Sequence, residues 1–133
     1  MGQQQLLLIV LGVIIVGIAV VVGIQLFNAN AESSAKDTVV AEATNLGAMA
    51  LQYYKKPTAL GGGGNSFVGF GATTGTPHQD VSPLDSTASA LYTITPNGST
   101  DCKIVGDPSN PSGYTWKVTV TVTKAGGYST VIQ

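Results

Sequence analysis

The feature that most constrains this chain is an apolar segment close to its N-terminus. Residues 6–24 read LLLIVLGVIIVGIAVVVGI, and no charged side chain precedes Glu32. A helix over this segment would be about 28 Å long, close to the roughly 30 Å thickness of a bilayer's hydrocarbon core. The β-branched residues do not oppose a helix there, because in lipid a helix satisfies its own backbone polar groups. We therefore predict a helix of membrane-spanning length.

Three interpretations of this segment follow from its composition. A cleaved secretory signal would carry a basic leader and a shorter apolar core. Residues 1–5, MGQQQ, contain no basic side chain, and residues 28–31, NANA, match a cleavage site only weakly. We therefore expect the segment to be retained. It is then either a plain single-span anchor or a helix that waits in the membrane and later enters the core of a filament.

The helical pattern continues beyond the apolar segment. Residues 31–56 contain no proline and a single glycine, Gly47. Pro57 should end the helix, because the residue before a proline avoids helical geometry. We predict one helix over residues 2–56, about 80 Å long, with an apolar first half and an amphipathic second half. Apolar residues at helical spacing form a stripe along one face of the second half: Val39, Ala43, Leu46 and Ala50.

Alternating apolar and polar residues predict an antiparallel sheet in the rest of the chain. Turn-forming residues separate the strands, which we place at residues 90–95, 101–105, 114–124 and 128–132. The apolar face of the sheet should cover the helix stripe, and its threonine-rich face should meet solvent or a neighbouring subunit. In the third strand the inward side chains are expected to be Trp116, Val118, Val120 and Val122.

The predicted fold class is therefore α+β, with a long N-terminal helix packed on a small antiparallel head. Residues 1–27 form the apolar helix half and residues 28–56 the amphipathic half. Residues 57–133 form a loop and the sheet. The glycine run at residues 61–64 predicts a flexible tract, and it is not a phosphate loop because no Gly-Lys-Ser/Thr follows.

Composition excludes several classes of site. The six basic residues are scattered lysines, so the basic stripe of a nucleic-acid-binding protein is missing. His78 is the sole histidine, so no two-histidine metal site can form, and we expect it in an exposed loop. Asp101 and Asp107, two carboxylates six residues apart, make only a weak case for a calcium site. We predict no catalytic residue, no metal and no cofactor, because nucleophile, base and metal signals are missing.

We also make a prediction for each of two single residues, a cysteine and an asparagine. Cys102 is the only cysteine and cannot form an intrachain disulfide. We expect a small, partly buried residue, with an interchain bond or lipid attachment as the alternative. Asn97-Gly98-Ser99 matches the acceptor pattern for N-linked glycosylation, which makes Asn97 a candidate modification site.

The organisation of residues 1–56 resembles that of type IV pilins and of the related pseudopilins of secretion systems. The resemblance rests on MGQQQ leading directly into the apolar run, on the exit through Gln25 and Phe27, and on residues 53–57, YYKKP, before the glycine run. It implies a structural subunit that polymerises through its N-terminal helix into an extracellular filament for adhesion, motility or surface attachment. The implied partners are identical subunits, the inner membrane before assembly, the pilus assembly machinery, and a prepilin peptidase that leaves Met1 as the mature start.

The resemblance also implies an assembly interface on the helix. Family members usually carry a glutamate at mature position five, where Gln5 stands here; an amide still accepts a hydrogen bond but loses the charge-assisted part. The family's mid-helix proline is absent, so the helix is expected to loosen at Gly17 and Gly23 in the filament, or else these glycines let neighbouring helices approach. The expected interface consists of Met1, Gln5, Leu6, Leu7, Val10, Val13, Ile14, Gly17, Val20, Ile24 and Phe27.

Two other functions remain in competition with a surface pilus. The first is a pseudopilin that acts as a short periplasmic piston in a type II secretion-like system. The second is a membrane-anchored binding domain that never polymerises. An enzyme is the least expected class.

Overall fold

The long helix and the small sheet are both present in a computed structural model, which describes residues 2–70, 87–109 and 113–133. The predictions for Met1 and His78 fall outside these residues. Helix α1 spans Gly2–Lys55, and a short 3-10 turn, Thr58–Leu60, follows it. The strands are β1 (Leu91–Asn97), β2 (Asp101–Asp107), β3 (Val118–Thr123) and β4 (Tyr128–Ile132). The predicted α+β class is confirmed.

The four strands form one antiparallel meander in the order β1–β2–β3–β4. Strand β3 begins later than predicted, because its ladder with β2 ends at the pair Gly106–Val118. Lys117 still exchanges two backbone hydrogen bonds with Gln133, at 2.7 and 2.9 Å. Strand β1 runs past Pro96, which is tolerated because β1 lies at an edge of the described sheet.

The core lies between the amphipathic half of α1 and the inner face of the sheet. The predicted stripe is confirmed, since each of its four side chains is fully buried. Leu46 is the largest of them, and replacing such a buried leucine by alanine costs about 2–5 kcal/mol. The predicted inward side chains of the third strand are also buried. In contrast, every residue of β4 is exposed at the edge of the sheet.

Two glycines allow the helix and the sheet to come unusually close. A Cβ added at Gly47 of α1 would lie 2.7 Å from Cγ2 of Val122. A Cβ added at Gly106 of β2 would lie 2.7 Å from Cγ1 of Val39. Real Cβ atoms do not make contacts this short, so both positions require glycine for close packing.

The glycine run at residues 61–64 caps the C-terminus of α1, contrary to the predicted flexible tract. The amide of Gly63 donates to the carbonyl of Tyr53 at 2.8 Å, and that of Asn65 donates to Tyr54 at 2.8 Å. These bonds satisfy carbonyl groups that the end of a helix leaves without partners. A Cβ at Gly63 would lie 1.8 Å from the carbonyl oxygen of Ser66. Gly63 is therefore needed for backbone to approach backbone, and the run does not serve as a loose linker.

The chain divides into two compact units, Met1–Ala35 and Lys36–Gln133. The described residues of the first unit, 2–35, all belong to α1. The second contains the rest of α1, the cap and the sheet. Its buried aromatic residues near the cap include Phe67, whose ring centroid lies 4.6 Å from that of Tyr54.

Candidate assembly surface

The expected assembly residues that the structure describes belong to the apolar stretch of α1, whose large side chains are exposed. Phe27 is 74% exposed and Leu7 is 69% exposed. The other apolar members described by the structure are exposed as well. By length and composition the helix can cross a membrane, and none of its apolar stretch is buried.

Two grooves mark this helix surface. The first, of about 310 Å³, is lined by Gln3, Leu6, Leu7 and Val10. The second, of about 420 Å³, lies around Gly17, which has no side chain and stands among larger neighbours. The residues lining this second groove are Ile14, Gly17, Ile18, Val21, Val22 and Gln25.

Only some of the expected interface residues line a groove. Leu6, Leu7 and Val10 come together in the first groove, and Ile14 and Gly17 in the second. The remaining expected residues that the structure describes line neither groove: Gln5, Val13, Val20, Ile24 and Phe27. Five residues that line the grooves are not among the expected interface residues: Gln3, Ile18, Val21, Val22 and Gln25. Their spacing of four, seven or eight from Ile14 or Gly17 is the signal that could have found most of them.

The two glycines of the proposed loosening lie inside unbroken helix in the isolated chain. Gly17 and Gly23 both belong to α1. A Cβ added at either would meet no atom within 4 Å. The glycines are therefore not required by packing within the chain, and loosening in a filament stays a prediction.

In the second unit, hydrogen bonds between polar side chains connect α1 to the start of the sheet. The Tyr92 hydroxyl donates to Oε2 of Glu42, and the Thr87 hydroxyl donates to the same oxygen at 2.8 Å. Burial raises the pKa of Tyr92 above its usual range, and the bond to Glu42 raises it further. A tyrosine that stays protonated can donate a hydrogen bond. We therefore interpret this cluster as a contact that stabilises the fold.

The two aspartates considered for calcium do not form a joint site. They stand at opposite ends of β2, about 20 Å apart at the usual rise of a strand. Asp107 instead pairs with Nζ of Lys117 at 2.8 Å. Hydrogen bonds from Lys117 and from Ser109 lower the pKa of Asp107 to about 2. Among the described residues no group of three potential metal-ligating side chains occurs.

Cys102 is fully buried, where the sequence analysis expected partial burial. Burial raises the pKa of its thiol to about 12, and the charge of Asp101 adds to the effect. A buried, protonated thiol is a poor nucleophile. The alternatives of an interchain bond or lipid attachment are therefore closed to Cys102 in the folded head.

Asn97 is the last residue of β1, directly before the turn to β2, and it is exposed. Its side-chain nitrogen, the atom that would carry a glycan, donates to Oδ1 of Asp101 at 2.8 Å. Glycosylation of Asn97 stays a prediction, and it would require this hydrogen bond to break.

Comparison with protein-family models, with curated proteins and with solved structures finds no match. What the apolar surface binds must therefore be argued from its own chemistry. That surface is long, uncharged, grooved and uncovered.

Proposed function

We propose that this chain is a structural subunit of an extracellular filament of the type IV pilin kind. Identical copies associate through the apolar part of α1, and the sheet lies at the filament surface. The observation that carries the proposal is the surface of α1 over residues 6–27, on which seventeen large apolar side chains are exposed.

The size of this surface favours association. Full burial of one Leu, Ile or Val side chain contributes about 1.5–3 kcal/mol. The combined effect drives the helix out of water, either into lipid or against other apolar helices. Because no charged side chain precedes Glu32, copies could pack along residues 6–27 without burying an unpaired charged side chain.

The continuity of α1 favours a filament core over a plain anchor. One helix runs from the apolar segment into the half that packs on the sheet, without a break. An anchor more commonly connects to its domain through a linker of glycine, serine or proline.

The proposal assigns no reaction to the protein. Its partners are identical subunits, a prepilin peptidase, the assembly machinery and, before assembly, the inner membrane. The filament would then serve in adhesion, motility or surface attachment outside the cell.

A single-span anchored binding domain is the second candidate. The close match between residues 6–24 and the thickness of a bilayer favours it. In this case α1 would remain in lipid and the head would act as a monomer. A pseudopilin of a secretion system would use the same helix in a shorter polymer.

The test is electron microscopy of the wild-type chain and of Val16→Asp, both expressed with an assembly system. Val16 is an exposed apolar residue of α1. An aspartate there would place an unpaired carboxylate among packed helices, so the expected result is filaments from the wild type and none from the variant. Val16→Leu is the matched control and should assemble normally.

The head provides a second readout in the same experiment. Trp116 is buried in the second unit, so its near-ultraviolet circular dichroism reports folding of the head. This signal should be the same in Val16→Asp and in the wild type. Ordinary filament yield from Val16→Asp, or a wild-type chain that stays monomeric in cells and in detergent, would overturn the proposal.

A further inference from the structure

The described sheet has two edges, β1 and β4, and the alternation of its hydrogen bonds fixes which backbone groups point away from it. Lys117 and Gln133 exchange two backbone hydrogen bonds, at 2.7 and 2.9 Å. In an antiparallel ladder such hydrogen-bonded pairs alternate with pairs that are not bonded to each other. In the register of β3 with β4, three residues of β4 therefore point their N–H and C=O groups away from the sheet: Tyr128, Thr130 and Ile132.

The edge at β1 is closed to a second strand. The amide of Lys124 donates to the carbonyl of Thr100 at 3.2 Å, which sets the alternation from β3 through β2 to β1. The β1 residues that point their backbone groups outward are then Tyr92, Ile94 and Pro96. Pro96 has no N–H to offer. Tyr92 and Ile94 are only 5% and 3% exposed, so a second strand cannot reach them.

The edge at β4 is open. Each of its five residues is exposed, and its large side chains, Tyr128, Val131 and Ile132, are 44–47% exposed. Natural sheets protect their edges with lysine, proline or a bulge, because unpaired backbone groups are a template for another strand. The sequence of β4, YSTVI, contains no charged residue and no proline. This edge is therefore suited to strand addition.

Strand β4 is complementary to a second copy of itself. When two β4 strands pair antiparallel about Thr130, Tyr128 lies opposite Ile132 of the second copy, and the two Thr130 residues lie opposite each other. The three outward N–H groups of each copy meet outward C=O groups of the other, which gives six hydrogen bonds. Aromatic side chains opposite β-branched ones, and threonine opposite threonine, stabilise such a pair.

We propose that the heads of two copies join edge to edge through β4, with a two-fold axis at Thr130. The pairing extends the four-stranded sheet across both copies. It ends at two copies, because a contact of like with like closes and β1 accepts no further strand.

The two-fold axis also fixes the relative direction of the two helices near the sheet. A Cβ added at Gly106 would lie 2.7 Å from Val39, and one added at Gly47 would lie 2.7 Å from Val122. Gly106 lies at one end of the β2–β3 ladder, and Val122 lies near the other end. This part of α1 therefore runs along the strands. An axis perpendicular to the sheet reverses that direction, so paired copies carry this part of α1 in opposite directions.

In an open polymer all copies point the same way, so paired copies would belong to two filaments that run in opposite directions. This step rests on the proposed filament, whereas the pairing itself does not. A contact of one strand is small, but many copies along two filaments would engage together, and such linked contacts strengthen one another. The β4 edge is thus the surface through which filaments would form bundles.

Disulfide trapping of the whole chain in detergent tests the pairing. Thr130→Cys would place the two cysteines of a pair directly opposite each other, with Cα atoms about 5.5 Å apart. This separation suits a disulfide. Oxidation with copper phenanthroline should therefore give a covalent dimer on a non-reducing gel. The native Cys102 is fully buried and should not react.

Ile132→Cys is the matched control, because Ile132 is an exposed residue that points its backbone groups to the same edge. In the proposed register the two copies of residue 132 lie about 14 Å apart along the strands, so this variant should stay monomeric after oxidation. A parallel pairing or random collisions would link Ile132→Cys as readily as Thr130→Cys. That result, or a Thr130→Cys chain that stays monomeric, would overturn the pairing and leave the edge to strands of other proteins.

Electron microscopy of assembled filaments tests the bundling. Thr130→Lys would place two ammonium groups opposite each other, and like charges in directly opposite positions are destabilising. The expected result is bundles from the wild type and separate filaments, in ordinary yield, from the variant. Thr93→Lys makes the same change at an exposed position of β1 and should leave the bundles intact. Near-ultraviolet circular dichroism of the buried Trp116 checks that each variant keeps a folded head.

The possible failures can be told apart. Separate wild-type filaments, or bundles that persist in Thr130→Lys, would contradict bundling through β4 and leave the proposed function standing. A wild-type chain that forms no filaments would instead overturn the proposed function. The cross-link in detergent would still decide whether two β4 strands pair.

Discussion

The Tyr92 hydroxyl donates a hydrogen bond to the carboxylate of Glu42, and so joins β1 to the amphipathic half of α1. Tyr92 is only 5% exposed, and the same carboxylate oxygen also accepts from Thr87. The two residues are 50 positions apart in the chain. This bond therefore connects two distant parts of the chain. It holds β1 against the helix that carries the head in the proposed filament.

Tyr92→Phe should destabilise the head. The variant keeps the buried ring but removes the donor to a carboxylate, and a hydrogen bond to a charged group contributes about 1.5–3 kcal/mol. Because Thr87 still donates to Glu42, we expect a loss near the lower end, about 1.5 kcal/mol. Urea denaturation of the full chain in detergent, followed by Trp116 fluorescence, measures it.

The control for Tyr92→Phe is Thr93→Val, a change at the exposed next residue of β1. Its free energy of unfolding should stay close to that of the wild type. Equal stability of Tyr92→Phe and wild type would contradict a stabilising role for the bond.

Protonation of Asp107 should make the head less stable in acid. Its pKa falls from 3.8 unfolded to about 2 in the fold. A lowered folded pKa gives stability that is present above about pH 4 and is lost as the pH falls towards 2. Because Lys117 is 54% exposed, solvent screens the pair and the effect is modest. Asp107→Asn should flatten the fall in unfolding free energy between pH 4 and 2.

Thr93→Val, which changes no titratable group and lies at an exposed position of β1, is the comparison for this measurement. It should keep the wild-type slope over the same interval. If Asp107→Asn keeps that slope as well, the ion pair with Lys117 does not contribute in solution.

Gly47→Ala should lower the stability of the head although alanine is the better helix former. The added methyl group would overlap Val122 and the ring of Tyr128, at 2.7 and 2.9 Å. Overpacking of this kind costs about 1–3 kcal/mol, which exceeds the gain of about 1 kcal/mol in helix propensity. Asn45→Ala, at an exposed position of the same helix, should be neutral or stabilising. Thermal unfolding that ranks Gly47→Ala above the wild type would show that the interface relaxes.

Local periodicity explains which parts of the fold could be predicted. Val39, Ala43, Leu46 and Ala50 repeat with the period of a helix, and Val118, Val120 and Val122 with that of a strand. These patterns are visible within a few residues of sequence. They were sufficient for the buried stripe, the inward face of β3 and the antiparallel meander.

Contacts between distant residues explain what could not be predicted. The bond between Glu42 and Tyr92 has no local signature. The composition of the glycine run predicts flexibility. The hydrogen-bond acceptors that order it, such as the carbonyl of Tyr53, become apparent only in three dimensions. On the apolar helix, residue type predicted the exposed surface. The groove around Gly17 depends on which side chains flank the glycine, so it required coordinates.

The cap at residues 61–64 bears on where foreign peptides can be placed in this protein. A run of four glycines is usually the first choice for an epitope or a fluorophore-binding insert. Here an insertion would break the hydrogen bonds that the amides of Gly63 and Asn65 donate. The last carbonyls of α1 would then lose their partners. The exposed turn residue Ala125 is the better point of attachment for imaging tags.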